Sequence, residues 1–289
     1  MVPDGIWVEQ LLFKHLPLSC KQLIIEPIDM NGLFIVGYWN SGTTLLTDVL
    51  RKHPDLSLKK GRFLPNLEER TLQKLFSKMG TPFFDFGDYS EVIENGFANY
   101  RSPEWSEEQM HTFRKMFDRH FSVSPGQHLL LKNPWLFFYK EWIDRQFAKD
   151  NIKKIVILRN GYAQAVSKDY WMRGDLPPEK QLVARSIFWR KAMEYYFETW
   201  YKDPDCLTLR YENLCTHPED TIETICSFLS LPFEPLQRKL PEAFVNRMTK
   251  WLQLEPAFQQ QVIQEIKGVQ NRIDDAFPLK TALEFFENT

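Results

Sequence analysis

The apolar positions of this chain fall into two patterns. Leu33–Val36, Leu129–Leu131 and Ile155–Leu158 are unbroken apolar runs, too short for helices and bounded by polar or turn residues. Runs of that kind predict strands covered on both faces, as in a parallel sheet. Cys206–Tyr211 reads as a further strand. Between the runs the apolar residues recur at helical spacing. A helix is predicted from Leu45 to a stop near His53-Pro54, with others over Trp135–Ala148, from 161 to 173, over the aromatic stretch Ala184–Tyr201, and over Pro218–Leu229. Strands alternating with helices imply an α/β fold, a parallel sheet flanked by helices. Residues 59–127 break the rhythm, mixing charges, aromatics and turns, and read as a lid or acceptor-side insertion.

Composition narrows the class. The 289 residues carry 43% hydrophobic and 26% charged residues, the profile of an ordinary globular chain. The formal net charge of −2 gives no electrostatic footprint for nucleic acid. No window is apolar enough for a membrane span, and the N-terminus lacks the basic and apolar regions of a secretory signal. Cys20, Cys206, Cys215 and Cys226 lack metal-site spacing and read as free thiols. A cytoplasmic protein without a metal is the expectation, and a monomer or homodimer suits its size. Aromatic residues reach 15%, with 23 Phe and 9 Trp, enough for an aromatic-walled pocket as well as a core.

The chemistry concentrates after the predicted strands. Gly37-Tyr38-Trp39-Asn40-Ser41-Gly42-Thr43-Thr44 follows the first strand and leads into a helix. That layout brings backbone N–H groups and a helix N-terminus onto an anion. The spacing nearly matches that of a nucleoside-triphosphate loop, but Thr43 stands where such loops carry lysine. Lys132 follows the second apolar run, and Arg159 the third, with Ser167 eight positions on. In a parallel sheet all three face one carboxyl edge, where ligands bind. Separated cationic sites there suit a ligand with two anionic ends. His53, beside Pro54, is expected to complement a helix C-terminus.

In these residues the chain resembles the sulfotransferases that use 3'-phosphoadenosine 5'-phosphosulfate (PAPS). The Ser41-Gly42-Thr43-Thr44 loop is similar to that family's 5'-phosphosulfate loop, and the ILRNGYAQAVS stretch, with Arg159 and Ser167, to its 3'-phosphate motif. Lys132 in LLLKNPW resembles the family lysine after the second strand. The segment 209–234, with Tyr211, is similar to a cofactor-contacting stretch, and NRMTKW, with Arg247 and Lys250, to the late segment that closes over the nucleotide. The resemblance covers about residues 31–255. It implies a P-loop nucleoside-triphosphate-hydrolase-like fold, with one domain over 1–289 divided into a loop unit at 31–58, a variable lid at 59–127 and a 3'-phosphate part at 128–289. It implies sulfuryl transfer from PAPS, leaving adenosine 3',5'-bisphosphate, to a hydroxyl or amine of a small molecule such as a specialised metabolite, without a metal.

By that resemblance Asn40, Ser41, Gly42, Thr43, Thr44, Arg159, Ser167, Tyr211, Arg247 and Lys250 hold the nucleotide and Lys132 is catalytic. Two positions depart from the pattern. Asn40 stands where relatives have a loop lysine or arginine, so Lys132 must supply most of the cation, helped by Lys59 or Lys60. The usual places for a general base hold Pro134 and, in SLKKGRFLPNLEER, lysines. Glu68, Glu69, His128 and His120 are the remaining candidates. Asp85, Asp88, Glu91 and Glu94 among aromatics suggest a pocket for a polar or cationic acceptor. A non-catalytic nucleotide binder and a P-loop kinase are the competing readings, the latter disfavoured because the IVIL strand ends in Arg159, a poor magnesium ligand.

Overall fold

A computed structural model describes residues 30–58, 70–81, 102–167, 177–236 and 243–280. β1 (Asn31–Val36) leads through the glycine-bearing loop into α1 (Thr43–Leu50), followed by the two-residue β2 (Leu56–Ser57). After α2 (Arg70–Lys78) and α3 (Glu107–Phe121) come β3 (His128–Lys132), a 3-10 turn (Pro134–Phe138), α4 (Lys140–Gln146) and β4 (Asn151–Leu158). The short α5 (Gly161–Ala165) precedes the long α6 (Pro178–Thr199), β5 (Cys206–Arg210), α7 (Tyr211–Thr216), α8 (Pro218–Leu229), α9 (Ala243–Leu252) and α10 (Pro256–Ala276).

The strands form one sheet in the order β2-β3-β1-β4-β5, with every pairing parallel. Alternate residues of the apolar runs enter two separate cores. Leu33, Ile35, Leu130, Ile155 and Ile157 pack under α1 and α8, while Phe34, Val36, Leu129, Leu131, Val156 and Leu158 pack under α3, α4, α6 and α10. Both faces are buried, and that explains why the runs carry no polar alternation. Register pairs Ile35 with Lys132, Val36 with Val156 and Leu158 with Arg210, so the ends of these strands lie along one edge.

The predicted strands and the helix over Pro218–Leu229 stand. Two helix expectations change, and so does the reading of the irregular stretch. Trp135–Ala148 is a 3-10 turn followed by a short α-helix, because Asn133 accepts from the Trp135 N–H and Pro134 opens the turn. The helix expected over 161–173 is helical only to Ala165, and residues 168–176 lie outside the described part. The irregular stretch contains α3, opened by a reciprocal cap between Ser106 and Gln109 and buried along Phe113, Phe117 and Phe121. No helix among the described residues is long and apolar enough to cross a membrane.

Candidate nucleotide-binding site

The loop after β1 is shaped by its backbone. Asn40 and Gly42 have φ of 57° and 107°, the left-handed side, and the Ser41 N–H donates to the Tyr38 carbonyl at 3.2 Å. Left-handed residues next to turn residues make a concave run of N–H groups that suits an anion. Gly42 caps α1, and a Cβ there would lie 2.2 Å from Cδ2 of Tyr211, so the tyrosine ring rests directly on the glycine. Ser41 is buried, and its hydroxyl has no partner.

Arg159 follows β4 and is 7% exposed. Its Nη1 donates to the Asn40 carbonyl at 2.9 Å, and its guanidinium carbon lies 4.4 Å from the centre of the Tyr211 ring. Its Nε and Nη2 are buried without a partner. An arginine with unsatisfied donors beside a turn of this shape is equipped for an anion. Burial, with some help from the nearby Arg247 charge, lowers its pKa from the usual arginine value. A bound anion relieves both effects. Burial also raises the Tyr211 phenol, so the ring faces Arg159 as a neutral surface.

The turn that carries Arg159 is held from behind. The Asn160 N–H donates to Glu212 Oε1 and the Gly161 N–H to Gln270 Oε1, both at 2.8 Å. The Asn160 side chain caps α5 through the N–H groups of Tyr162 and Ala163. Gln164 of α5 donates to the Trp39 carbonyl at 2.6 Å, tying this helix to the loop.

Lys132 ends β3 and is 1% exposed. By strand alternation it shares the face of Leu130, the side covered by α1. The next residue, Asn133, is fully buried, and its Nδ2 has no partner. Ser167 is buried, with its hydroxyl donating to the Ala163 carbonyl at 3.0 Å. Arg247 and Lys250 lie on α9, Arg247 partly buried and Lys250 exposed.

The structure therefore brings Asn40–Thr44, Lys132, Arg159 and Tyr211 to the carboxyl edge, with Arg247 within electrostatic reach of Arg159. It does not bring His128 there. His128 opens β3 at the opposite edge, pairs in register with Leu56, and its N–H donates to the Asp55 carbonyl. His120 lies exposed near the end of α3. The expectation of His128 as a base is corrected on that geometry. His53 also differs from expectation. It joins the Pro232 carbonyl through Nε2 and accepts from the Asp55 N–H through Nδ1, bridging loops rather than a helix end. Glu68, Glu69, Lys59, Lys60, Asp85, Asp88, Glu91 and Glu94 lie outside the described residues. Asn133, Gln164, Glu212 and Gln270 were not singled out in the sequence. Glu212, beside Tyr211, was within reach of the motif, whereas Gln270 had no local signal. Among the described residues no His, Cys, Asp or Glu group is arranged for a metal, and Cys206, Cys215 and Cys226 are free thiols.

The sequence model of the sulfotransferase family matches residues 32–235. The chain belongs to the sulfotransferase family. It is 26% identical over 232 residues to protein-tyrosine sulfotransferase 1 of Danio rerio, covering 76% of this chain and 59% of that protein. It is 25% identical over 210 residues to protein-tyrosine sulfotransferase A of Caenorhabditis elegans, covering 70% of this chain and 50% of that protein. This sulfotransferase-family chain thus spans about half the length of the curated relatives it matches. Among solved structures, the sulfotransferase STF9 from Mycobacterium avium aligns with a TM-score of 0.54 at 13% identity, over 94% of this chain and 82% of that one, a likeness of fold.

Proposed function

We propose that this chain transfers a sulfuryl group from PAPS to a hydroxyl-bearing acceptor. The observation that carries the reading is Arg159, buried against the loop with two donor nitrogens unpartnered. The orphaned Ser41 hydroxyl and the left-handed turn at Asn40 and Gly42 fit the other end of a two-anion ligand. The residues present therefore fit the nucleotide. Ser41–Thr44 would hold the 5' end, and Arg159, with Arg247 near it, the 3'-phosphate. Ser167 and Lys250 are assigned to the 3' side by the family resemblance alone.

The donor supplies an activated sulfuryl group on a phosphate leaving group. Lys132, buried at the strand end on the loop's side of the sheet, offsets charge that grows on the leaving oxygen. The loop and Arg159 fix both ends of the donor, so that the acceptor oxygen meets the sulfur in line. Trp39 of the loop is buried against the rings of Trp135 and Phe138, and an apolar backing of that kind strengthens charge interactions beside it.

The curated relatives are named for protein tyrosine, which favours a phenolic hydroxyl on a polypeptide as acceptor. A small hydroxylated metabolite is the rival reading, and offering both acceptors with labelled donor decides between them. The cofactor is tested first by calorimetric titration with adenosine 3',5'-bisphosphate against ATP–Mg. Micromolar binding of the bisphosphate alone is expected. Preference for ATP–Mg, or no binding of either, refutes the proposal.

A further inference from the structure

The family match ends at residue 235, yet the turn behind Arg159 is completed by a helix beyond it. Gln270 lies on α10 and is 2% exposed. Its Oε1 accepts from the Gly161 N–H at 2.8 Å, two residues after Arg159. Its Nε2 donates to both carboxylate oxygens of Asp274, at 2.9 and 3.0 Å. Asp274 in turn accepts from Arg210 Nη1 at 2.6 Å, and Arg210 Nε donates to Glu212 at 3.2 Å. Glu212 closes the circuit on the Asn160 N–H. Both N–H groups that follow Arg159 are therefore fixed by one polar network, buried at Gln270, Arg210 and Glu212 and reaching the surface at Asp274, and half of it comes from α10.

Packing presses on the same point. A Cβ at Gly161 would lie 2.7 Å from Ile266 of α10 and 2.9 Å from the Trp189 ring. Tyr162 packs, tilted, against Trp251 of α9 with ring centres 4.8 Å apart. The C-terminal helices thus grip the residues directly after Arg159 by close contact as well as by hydrogen bonds.

We propose that Gln270, backed by Asp274, is a positioning residue for the 3'-phosphate, acting through the Asn160-Gly161 turn on the aim of Arg159. The inference rests on the PAPS reading above. An arginine fork recognises phosphate only when its plane is fixed, so a loosened turn weakens the 3' contact most, while the 5' loop keeps its own backbone N–H groups and feels the change only through the Arg159 Nη1 bond to Asn40 and the Gln164 bond to Trp39. Mere gluing of α10 to the sheet would instead alter stability without sorting one nucleotide from another.

The test is calorimetric titration of the full chain with adenosine 3',5'-bisphosphate and with adenosine 5'-monophosphate, which lacks the 3'-phosphate. Gln270→Met keeps the shape and removes the acceptor. It is expected to weaken the bisphosphate roughly tenfold while moving the monophosphate by less than about twofold. Exchanging the two groups, Gln270→Glu with Asp274→Asn, keeps an acceptor for the Gly161 N–H and the net charge, and should restore most of the preference for the bisphosphate. Equal losses for both nucleotides, no loss for either, or a preference as low in the exchanged pair as in Gln270→Met overturns the inference. If Gln270→Met does not fold, the isosteric Asp274→Asn decides, since it should reduce the same preference by a smaller factor and an unchanged preference refutes it. A parent chain that binds the bisphosphate beside an unaffected variant rejects only this inference. A parent chain that binds neither nucleotide rejects the PAPS reading and this inference together.

Discussion

Gly42→Ala tests the loop most directly. Two separate penalties meet there. The backbone has φ of 107°, which an L side chain adopts at a cost of about 1–2 kcal/mol. The new Cβ would also lie 2.2 Å from Cδ2 and 2.6 Å from Cε2 of Tyr211, a ring atom pair in a buried residue. The ring must move, and overpacking of that kind costs about 1–3 kcal/mol. Moving the ring also breaks its face contact with Arg159, worth about 0.5–2 kcal/mol. The sum is roughly 2.5–7 kcal/mol. Gly126→Ala supplies the control. Its φ of 84° is also left-handed, but nothing lies within 4 Å of a Cβ there. It should lose only the backbone term, about 1–2 kcal/mol. Urea unfolding of both variants measures the difference, expected to exceed about 1.5 kcal/mol and to come with lost bisphosphate affinity in Gly42→Ala alone. Equal destabilisation by the two substitutions would show that Tyr211 does not rest on the loop, and the account of Arg159 held between ring and loop would fall with it.

Arg159→Ala should weaken adenosine 3',5'-bisphosphate roughly 100-fold, about 3 kcal/mol, and Arg159→Lys should recover little because a point charge lacks the fork. Unchanged affinity in titration would remove Arg159 from the site. Lys132→Ala should lower kcat by more than it raises the nucleotide Kd, and steady-state kinetics beside calorimetry would reveal the reverse pattern if the lysine only binds. Burial, with a smaller effect from His53, holds the His128 imidazole below its ordinary pKa against the opposing pull of Asp55. The folded chain thus takes up that proton less readily than the unfolded chain, so its stability is complete above about pH 6.5 and declines as pH falls through that value toward the folded one. His128→Gln should flatten this decline in Tm without changing kcat, and an equally steep decline in the variant would refute it.

The parallel sheet and the edge that carries the site were legible because the information is local. Buried strands must be apolar on both faces, and Leu33–Val36 and Ile155–Leu158 therefore announce themselves. Arg159 was legible for a related reason, as a charge that ends an apolar strand. Three things were not. His128 was a plausible base by residue type, but the register at the start of β3 places it four residues before Lys132, on the far edge. The helix Glu107–Phe121 was hidden by its surroundings, although Ser106 and Gln109 formed a readable cap. Gln270 could not be read at all, since its meaning comes from a contact 109 residues away in sequence.

The neutral Asn40 is the feature that the family pattern handles least well and the structure handles best. With φ of 57° this residue is in a conformation that asparagine tolerates better than other side chains except glycine. Its carbonyl, not its side chain, is what the fold uses, because Arg159 Nη1 holds it at 2.9 Å. One guanidinium therefore touches the Asn40 loop through Nη1 and leaves Nε and Nη2 unpartnered, on the proposed reading for the other end of the ligand. The positive charge that the loop lacks is thereby brought beside it from β4. The arrangement couples the two halves of the site. An anion that draws on Arg159 stiffens the turn at Asn40, so a nucleotide phosphorylated at both ends gains more than the separate contributions of its two ends. On the proposed reading, that coupling, rather than a charged loop residue, would favour a bisphosphate over a nucleotide with one anionic end.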